Sequence, residues 1–552
     1  MRNMRMSTFL CRTILVLNRF PSKALWFGGR RYNSLRRCRV PSRMESRSVL
    51  STSRRSAATN LVLLCLALLA LGVSAEPAAP AVALPERPGS PAAAFVQRVL
   101  ERAEHPRLRW PAIADVREPL DTFYRARAYE PAWIRAGAVL PVVPGLISVL
   151  GGAAAQGLEQ QDYDVRRLEE WLPGIGPETA PEDLALFDTA LTVSLARYAS
   201  SVHRGRVQPM SAGFRLDIDA EKALDLPAVF GRVLGGTDPA DVFAALEPRS
   251  ILYGQLKAEL GRMRSLTADA VDRRLSLDRK LVPGDRSPEV PKLRAILNAA
   301  DATIPAPEPG ADADRYDPAL ADAVKRFQHR HGLEPDGVVG KGTVERLRVT
   351  DADRILQIQL AMERQRWLPE RAAGRHLLVN VPSFELSAYS EGLGVSAPDL
   401  SMKVIVGQAV EGRRTPLFAA DMTYLVFRPH WNLPYKIATR EMLPGALRNP
   451  GYLSRHNIEV VSGYGGNAAV YAPTRENLRR VSGGALKLRQ RPGPKNALGL
   501  VKFAFPNDDS VYLHSTPNPG LFARTRRDFS HGCIRVADPV ALAEWVLGDD
   551  AA

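Results

Sequence analysis

A multidomain α+β protein is predicted by three features of the sequence: its length, a change of hydrophobic period near residue 376, and a Pro- and Gly-rich interruption inside the later part. At 552 residues the chain exceeds what one core can fill. An α-helical scaffold, a three-helix unit and a mostly-β C-terminal domain with an inserted helical capping subdomain are therefore expected.

Residues 1–75 read as a leader. Arg54-Arg55 precede an apolar run from Leu61 to Val73, and Val73-Ser74-Ala75 supply small residues before Glu76. This order describes a secretory signal cleaved after Ala75. The run is shorter than the roughly 18 residues of a spanning helix, and an uncleaved membrane anchor is the alternative. Residues 1–43, Arg-rich and patternless, look like an over-called start, with Met44 the better initiation point. An exported protein, in the periplasm or cell envelope, is expected.

The net charge of +15 belongs to that leader. Residues 1–60 hold 14 Arg/Lys against one acid, Glu45, which leaves +2 on the other 492 residues. Nucleic-acid binding thereby loses its main support. Cys11, Cys38 and Cys65 also lie in the leader, so Cys533 is the sole thiol of the mature chain. An exported protein that keeps one unpaired cysteine points to a functional thiol.

Residues 76–95, rich in Ala and Pro, read as a linker. Residues 96–282 read as the helical scaffold: Leu184, Phe187, Leu191 and Leu195 share one helical face, and Phe243-Leu246 with Leu252, Leu256 and Leu260 form another stripe. Trp110, Trp133 and Trp171 are assigned to packing. His105 and His203 are isolated and read as structural. No paired carboxylates or metal-spaced ligands stand out in this region.

Residues 283–349 form a compact unit. Ser287-Pro288 and Asp317-Pro318 each read as an N-cap followed by Pro at the first helical position. Val290, Leu293 and Leu297, then Leu320, Val324 and Phe327, are the apolar stripes. Thr343, Val344 and Leu347 open a short third helix, and Pro305–Asp314 is a polar insertion. The run Ala323-Val324-Lys325-Arg326-Phe327-Gln328, Gly332-Leu333, Asp336-Gly337, Gly340 and Thr343 resembles the small three-helix peptidoglycan-binding domain. A plain helical linker is the alternative.

A connecting helix is expected within 350–375, from Asp351 to Trp367. Through 376–552 the period is two: Leu377, Val379 and Val381; Phe384, Leu386 and Ala388; Val404 and Val406; Leu425 and Phe427; Val501, Phe503 and Phe505; Val511 and Leu513. The insertion, about 430–499, has helical pieces at Ile437–Leu443 and Thr474–Val481. An insertion of this size within a β domain is more often a functional lid than a passive loop. Asp538-Pro539 starts a last helix.

The chemistry centres on Ser530-His531-Gly532-Cys533-Ile534-Arg535, preceded by Val511-Tyr512-Leu513-His514. A thiolate nucleophile needs a base, and two histidines compete for that role. His531 is two residues away, where a strand would turn it from the sulfur. His514 ends a strand and faces the loop, the better geometry for a base. Gly532 permits a tight turn, so the amides of Gly532 and Cys533 are candidates for an oxyanion hole. Arg535 is a candidate to bind a substrate carboxylate or to hold the loop. An inert packed cysteine is the competing reading.

These residues resemble the active-site signature of the L,D-transpeptidases, the YkuD-type catalytic domain: a His, a short spacer, then Ser/Thr-His-Gly-Cys. Here 15 residues separate His514 from Ser530. Arg428-Pro429-His430-Trp431-Asn432-Leu433-Pro434, the stretch from Arg491-Pro492-Gly493 to Asn496-Ala497-Leu498-Gly499, and Phe505-Pro506-Asn507 are similar to the large periplasmic subgroup with scaffold, peptidoglycan-binding and capping domains.

The resemblance implies Cys533 as acylated nucleophile, His514 as base, Ser515 or its carbonyl as orienter, and the Gly532 and Cys533 amides as the oxyanion hole. It implies Ser530, His531 and Arg535 as support and Trp431 and Tyr512 as groove walls. Some subgroup members carry Ser at the position of His531, which argues against that residue as the base. The implied reaction is acyl transfer from a stem tetrapeptide to a second stem, giving a 3→3 cross-link, without metal or organic cofactor and with carbapenem-type β-lactams as inhibitors.

Water, a D-amino acid or a lipoprotein lysine as acceptor, and a non-catalytic wall-binding protein, are the alternatives. A zinc peptidase lacks an acidic ligand motif near His514, and His329 and His331 stand apart from it.

Overall fold

The structure, a computed structural model, describes the backbone of residues 14–17 and residues 90–214, 222–265, 271–300, 312–368, 374–390, 394, 396–449, 451–464 and 467–548. The rest of the leader, including its three cysteines, Met44 and the apolar run Leu61–Val73, lies outside the described residues, as do the linker before residue 90 and residues 301–311. No described helix is long and apolar enough to cross a membrane.

The helical region is built around Pro181–Arg204, which starts with Pro181, Glu182 and Asp183 and stops at Gly205, where φ is +90°. Phe187, Leu191 and Leu195 are buried as expected, but so are Leu186, Ala190 and Val193. A helix covered on nearly every side is the centre of its bundle. Its buried Asp188 accepts from the Tyr124 hydroxyl at 2.6 Å and from the N–H groups of Trp133 and Ala132 at 2.6 and 2.9 Å. Burial raises the pKa of Asp188 to about 6, and the three donors satisfy the carboxylate. His105 is buried with Nε2 2.9 Å from the Leu186 carbonyl, and burial lowers its pKa to about 4. It is a neutral, structural imidazole.

Two expectations for this region need correction. Trp110 is 54% exposed rather than packed, whereas Trp133 is fully buried and Trp171 meets Phe187 edge-on at 5.6 Å. The stripe from Phe243 to Leu260 is two helices, Pro239–Ala244 and Ile251–Ser265, with Leu252 exposed. Pro248 between them removes a backbone donor and interrupts the helical ladder.

The helix Asp351–Arg366 packs on Ile251–Ser265 through Tyr253, Leu260 and Met362. Arg366 is buried, donates to the Tyr253 hydroxyl at 2.9 Å and pairs with Glu363 at 3.1 Å. Glu363 in turn accepts from the backbone N–H groups of Arg206 and Val207 at 2.6 and 2.9 Å. Both charges are thus paired, as a charge removed from water requires, although Arg366 Nε has no hydrogen-bond partner among the described residues.

The three-helix unit comprises Val290–Ala300, Pro318–Arg330 and Lys341–Leu347. Asp317 caps the second helix, accepting from the Leu320 N–H at 2.8 Å. At Ser287-Pro288 the helix opens later than expected: Ser287 Oγ accepts from the Glu289 N–H at 3.2 Å, Pro288 lies in a turn, and the helix begins only at Val290. Gln328 explains the spacing of the motif. Its amide donates to Asp336 at 2.9 Å and to the Val338 carbonyl at 3.0 Å, and its oxygen accepts from the Gly337 N–H at 2.8 Å. Gly337 has φ +75°, a conformation that glycine adopts without strain.

The C-terminal domain contains two sheets. The larger uses β1 (Ile14–Leu17), β2 (His376–Asn380), β3 (Glu385–Tyr389), β4 (Leu400–Gly407) and β5 (Tyr424–Phe427). The insertion then carries β6 (Trp431–Asn432), β7 (Ile458–Val461), β8 (Val470–Tyr471) and β9 (Lys487–Gln490). The chain returns with β10 (Val501–Ala504), β11 (Leu513–His514), β12 (Asp528–Ser530) and β13 (Ile534–Val536). The large sheet runs β1-β2-β3-β4-β13-β11-β10-β5, with β12 alongside β4.

One face of this sheet is its core. Leu377, Val379, Val404, Val406, Phe503, Leu513, Ile534 and Val536 are buried there, under Leu542 and Val546 of the last helix, Pro539–Leu547. Burying a side chain of this size contributes about 1.5–3 kcal/mol each. At the edge the alternation fails, and Phe427, assigned inward, is 59% exposed.

The insertion holds the expected helices, among them Arg475–Ser482 and a π-helical turn at Ala438–Met442. It also holds a four-stranded sheet, β8-β7-β9-β6. Those strands are two to four residues long, too short to show a period of two. Leu433, Leu453, Val460, Leu478 and Leu488 give the insertion a hydrophobic core of its own.

Candidate active site

The site lies on the face of the sheet opposite the core. β11 pairs in parallel with β13, Leu513 opposite Ile534 and His514 opposite Arg535. β10 pairs with β11, Lys502 opposite His514. Because Phe503, Leu513 and Ile534 point into the core, the residues that alternate with them share the other face. Those residues are Lys502, Tyr512, His514, Cys533 and Arg535. Cys533 precedes β13 directly, and the Ile534 N–H bonds the Tyr512 carbonyl at 3.1 Å, so Tyr512 is its neighbour across the strands.

The loop before the cysteine is held from several sides. Ser530 Oγ donates to the Cys533 carbonyl at 2.5 Å and accepts from the Gly532 N–H at 3.1 Å. Gly532 has φ +127°, so the tight turn falls at the residue able to make it. Thr415 Oγ1 donates to the Gly532 carbonyl at 2.8 Å and accepts from the Gly407 N–H at 2.8 Å. One expectation is corrected here: the Gly532 amide is already bonded to Ser530 and is not available to an oxyanion. The Cys533 amide has no hydrogen-bond partner among the described residues.

His514 is buried, and its Nδ1 lies 2.5 Å from the Ser515 carbonyl. Nδ1 therefore carries the proton and Nε2 keeps its lone pair. Burial, then Arg535, with a smaller part from Lys502, lower the pKa of His514 to about 3. Burial also raises the Cys533 thiol, against the opposing pull of the Tyr512 backbone N–H, the Tyr512 hydroxyl, Lys502 and Arg535. The resting pair is thus a neutral imidazole and a protonated thiol. At the thiol desolvation outweighs the nearby cations, whereas at the imidazole burial and the cations act together.

Trp431 reaches the site from the insertion, its indole interacting with the Tyr512 hydroxyl. The Tyr512 ring lies 5.6 Å from that of His514. His531 turns away and donates from Nε2 to Glu441 of the π-helical turn at 2.9 Å. Arg535 is partly buried with Nε unpartnered. Among the described residues no group of three or more His, Cys, Asp or Glu could hold a metal ion.

Two residues escaped the sequence reading. Lys502 lies between the buried Val501 and Phe503, with its Nζ 4.2 Å from the centroid of the Tyr512 ring. A lysine inside an alternating strand was the available signal. Thr415 belongs to an irregular segment and left none.

Comparison with known proteins gives three family matches. A "Scaffold domain" covers residues 118–260, a "Putative peptidoglycan binding domain" 286–347, and an "L,D-transpeptidase catalytic domain" 374–551. Residues 374–551 thus match the L,D-transpeptidase catalytic domain. That domain contains every site residue from Trp431 to Arg535.

A "Putative L,D-transpeptidase" of Haemophilus influenzae is 34% identical over 192 residues, covering 34% of this chain and 37% of that protein. The match therefore spans little more than a third of that relative's length. A crystal structure of an L,D-transpeptidase (residues 123–326) from Xylanimonas cellulosilytica covers 50% of this chain and 94% of its own, at 17% identity and a TM-score of 0.14.

Proposed function

We propose that the protein is a peptidoglycan L,D-transpeptidase that forms 3→3 cross-links through an acyl-enzyme on Cys533. The observation that carries this reading is the pairing of β11 with β13, which gives His514 and Cys533 one face of the sheet. His514 Nε2, unprotonated, accepts the thiol proton as Cys533 sulfur attacks the carbonyl at the L-centre of diaminopimelate, the third residue of a donor tetrapeptide. The Cys533 amide is the donor left for the oxyanion. Collapse expels D-alanine, whose nitrogen takes the proton from His514, and leaves a thioester. The side-chain amine of a second stem attacks the thioester, forms the new amide and returns the thiol.

Support for a polymeric substrate comes from the three-helix unit and its family match at 286–347. The same nucleophile would open the strained amide of a carbapenem-type β-lactam, an inhibitor by this reading. The leader motif, in turn, argues for the periplasm or cell envelope as the site of action. Incubating the chain with purified tetrapeptide muropeptides tests the proposal: cross-linked dimers that vanish with Cys533→Ala are expected. Trimmed tripeptides without dimers would sink the cross-linking activity.

A further inference from the structure

Beside the nucleophile the insertion and β10 enclose a cleft of about 350 Å³. Tyr435, Tyr464 and Lys487 line it from the insertion, and Lys502 and Tyr512 from the sheet. No Asp or Glu contributes to its wall. Lys487 Nζ donates to the Gly484 carbonyl at 2.8 Å, and Lys502 Nζ lies over the Tyr512 ring. Neither ammonium has an ion-pair partner among the described residues. The cleft leads to the sulfur, because Tyr512 lines the one and its hydroxyl faces the other.

Cations left half-buried without a counter-ion cost stability unless an anion arrives to use them. Here they converge from two separate elements, one in the insertion and one in the sheet. A carboxylate bridging Lys502 and Lys487 would also fix the insertion over the bound peptide. We propose that this cleft is a carboxylate-binding subsite, in which Lys502 and Lys487 hold an ionised carboxylate of the peptide donor while its neighbouring carbonyl meets Cys533. The inference rests on the transpeptidase reading above and adds how the donor is recognised. A tetrapeptide offers two carboxylates near the scissile bond: that of its terminal D-alanine and that on the diaminopimelate side chain.

Three donors decide the matter: the free tetrapeptide, one amidated at the terminal carboxylate, and one amidated at the diaminopimelate side-chain carboxylate. Acylation of Cys533 is followed by mass spectrometry for the wild-type chain, Lys502→Gln and Lys487→Gln. The wild type should prefer the free donor over one of the amides by about tenfold or more, as a charge-assisted hydrogen bond implies. Which amide is disfavoured names the carboxylate. Lys502→Gln should bring that preference to about unity, and Lys487→Gln should reduce it. A wild type indifferent to both amides overturns the proposal. So does a Lys502→Gln chain that slows all three donors equally, since the lysine would then act only through the thiol. Calorimetric binding of the same peptides to the Cys533→Ala chain keeps the subsite separate from the reaction. A Lys502-dependent preference there upholds the subsite even if no dimer ever forms, and equal affinities or no binding refute it.

Discussion

His531 and Glu441 meet at 2.9 Å, and that hydrogen bond joins the nucleophile loop to the inserted subdomain. Arg413 lies 3.8 Å from the same carboxylate oxygen. The histidine two residues before the nucleophile is therefore an anchor for the insertion. One such bond is worth about 1 kcal/mol, so His531→Ala and Glu441→Ala should each lower kcat/KM about fivefold. Because both remove the same contact, the double variant should be no worse than the poorer single one. His514→Ala, by contrast, should cost about 10²–10⁴-fold. Equal losses for His531→Ala and His514→Ala would mean that the wrong histidine has been taken as the base.

The Tyr512 hydroxyl opposes the effect of burial on the thiol. Tyr512→Phe should therefore raise the thiol pKa and slow iodoacetamide alkylation of Cys533 about tenfold near neutral pH, the loss expected of a hydrogen bond to a charged sulfur. Rate measured against pH separates this from a steric effect. A shifted titration supports the hydroxyl's role, and a uniform drop refutes it.

With its pKa lowered to about 3, His514 stays neutral throughout the physiological range. The acid limb of kcat/KM should accordingly show no inflexion near 6.5, the usual histidine value. On the alkaline side, the raised thiol predicts alkylation that keeps accelerating beyond the ordinary cysteine range. A bell centred between those two ordinary values would contradict the neutral resting pair.

Gly499, with φ +62°, closes the insertion against Ser515. A methyl group there would come within 2.7 Å of Ser515 Cβ and 2.8 Å of the Thr516 nitrogen. Since the Ser515 carbonyl holds Nδ1 of His514, Gly499→Ala should displace the imidazole. Destabilisation of about 1–3 kcal/mol is expected from overpacking, together with at least a tenfold fall in kcat. Thermal denaturation and turnover measured on the same sample check both.

Much of this organisation was legible in the sequence because local rules govern it. Asp317-Pro318 and Asp538-Pro539 cap their helices as their chemistry dictates, and alternation marked the strands that bury Val379, Phe503 and Leu513. Where short-range rules compete with long-range ones, legibility fails. The register of Lys502 opposite His514 depends on pairing between segments twelve residues apart. Thr415, more than a hundred residues before Gly532, leaves no pattern. The Gly532 amide was misjudged because the neighbouring Ser530 hydroxyl reaches it first. The protonation state of the pair left no mark in the sequence, because desolvation is a property of the packed site alone.

A thiol that stays protonated and half-covered reacts slowly with peroxides and with other disulfides, because thiolate is the reactive species in both. The partial burial of Cys533 beside Tyr512 thus has a consequence outside catalysis. The nucleophile remains chemically quiet between turnovers, and with no second cysteine in the described chain it has no intramolecular partner with which to be trapped.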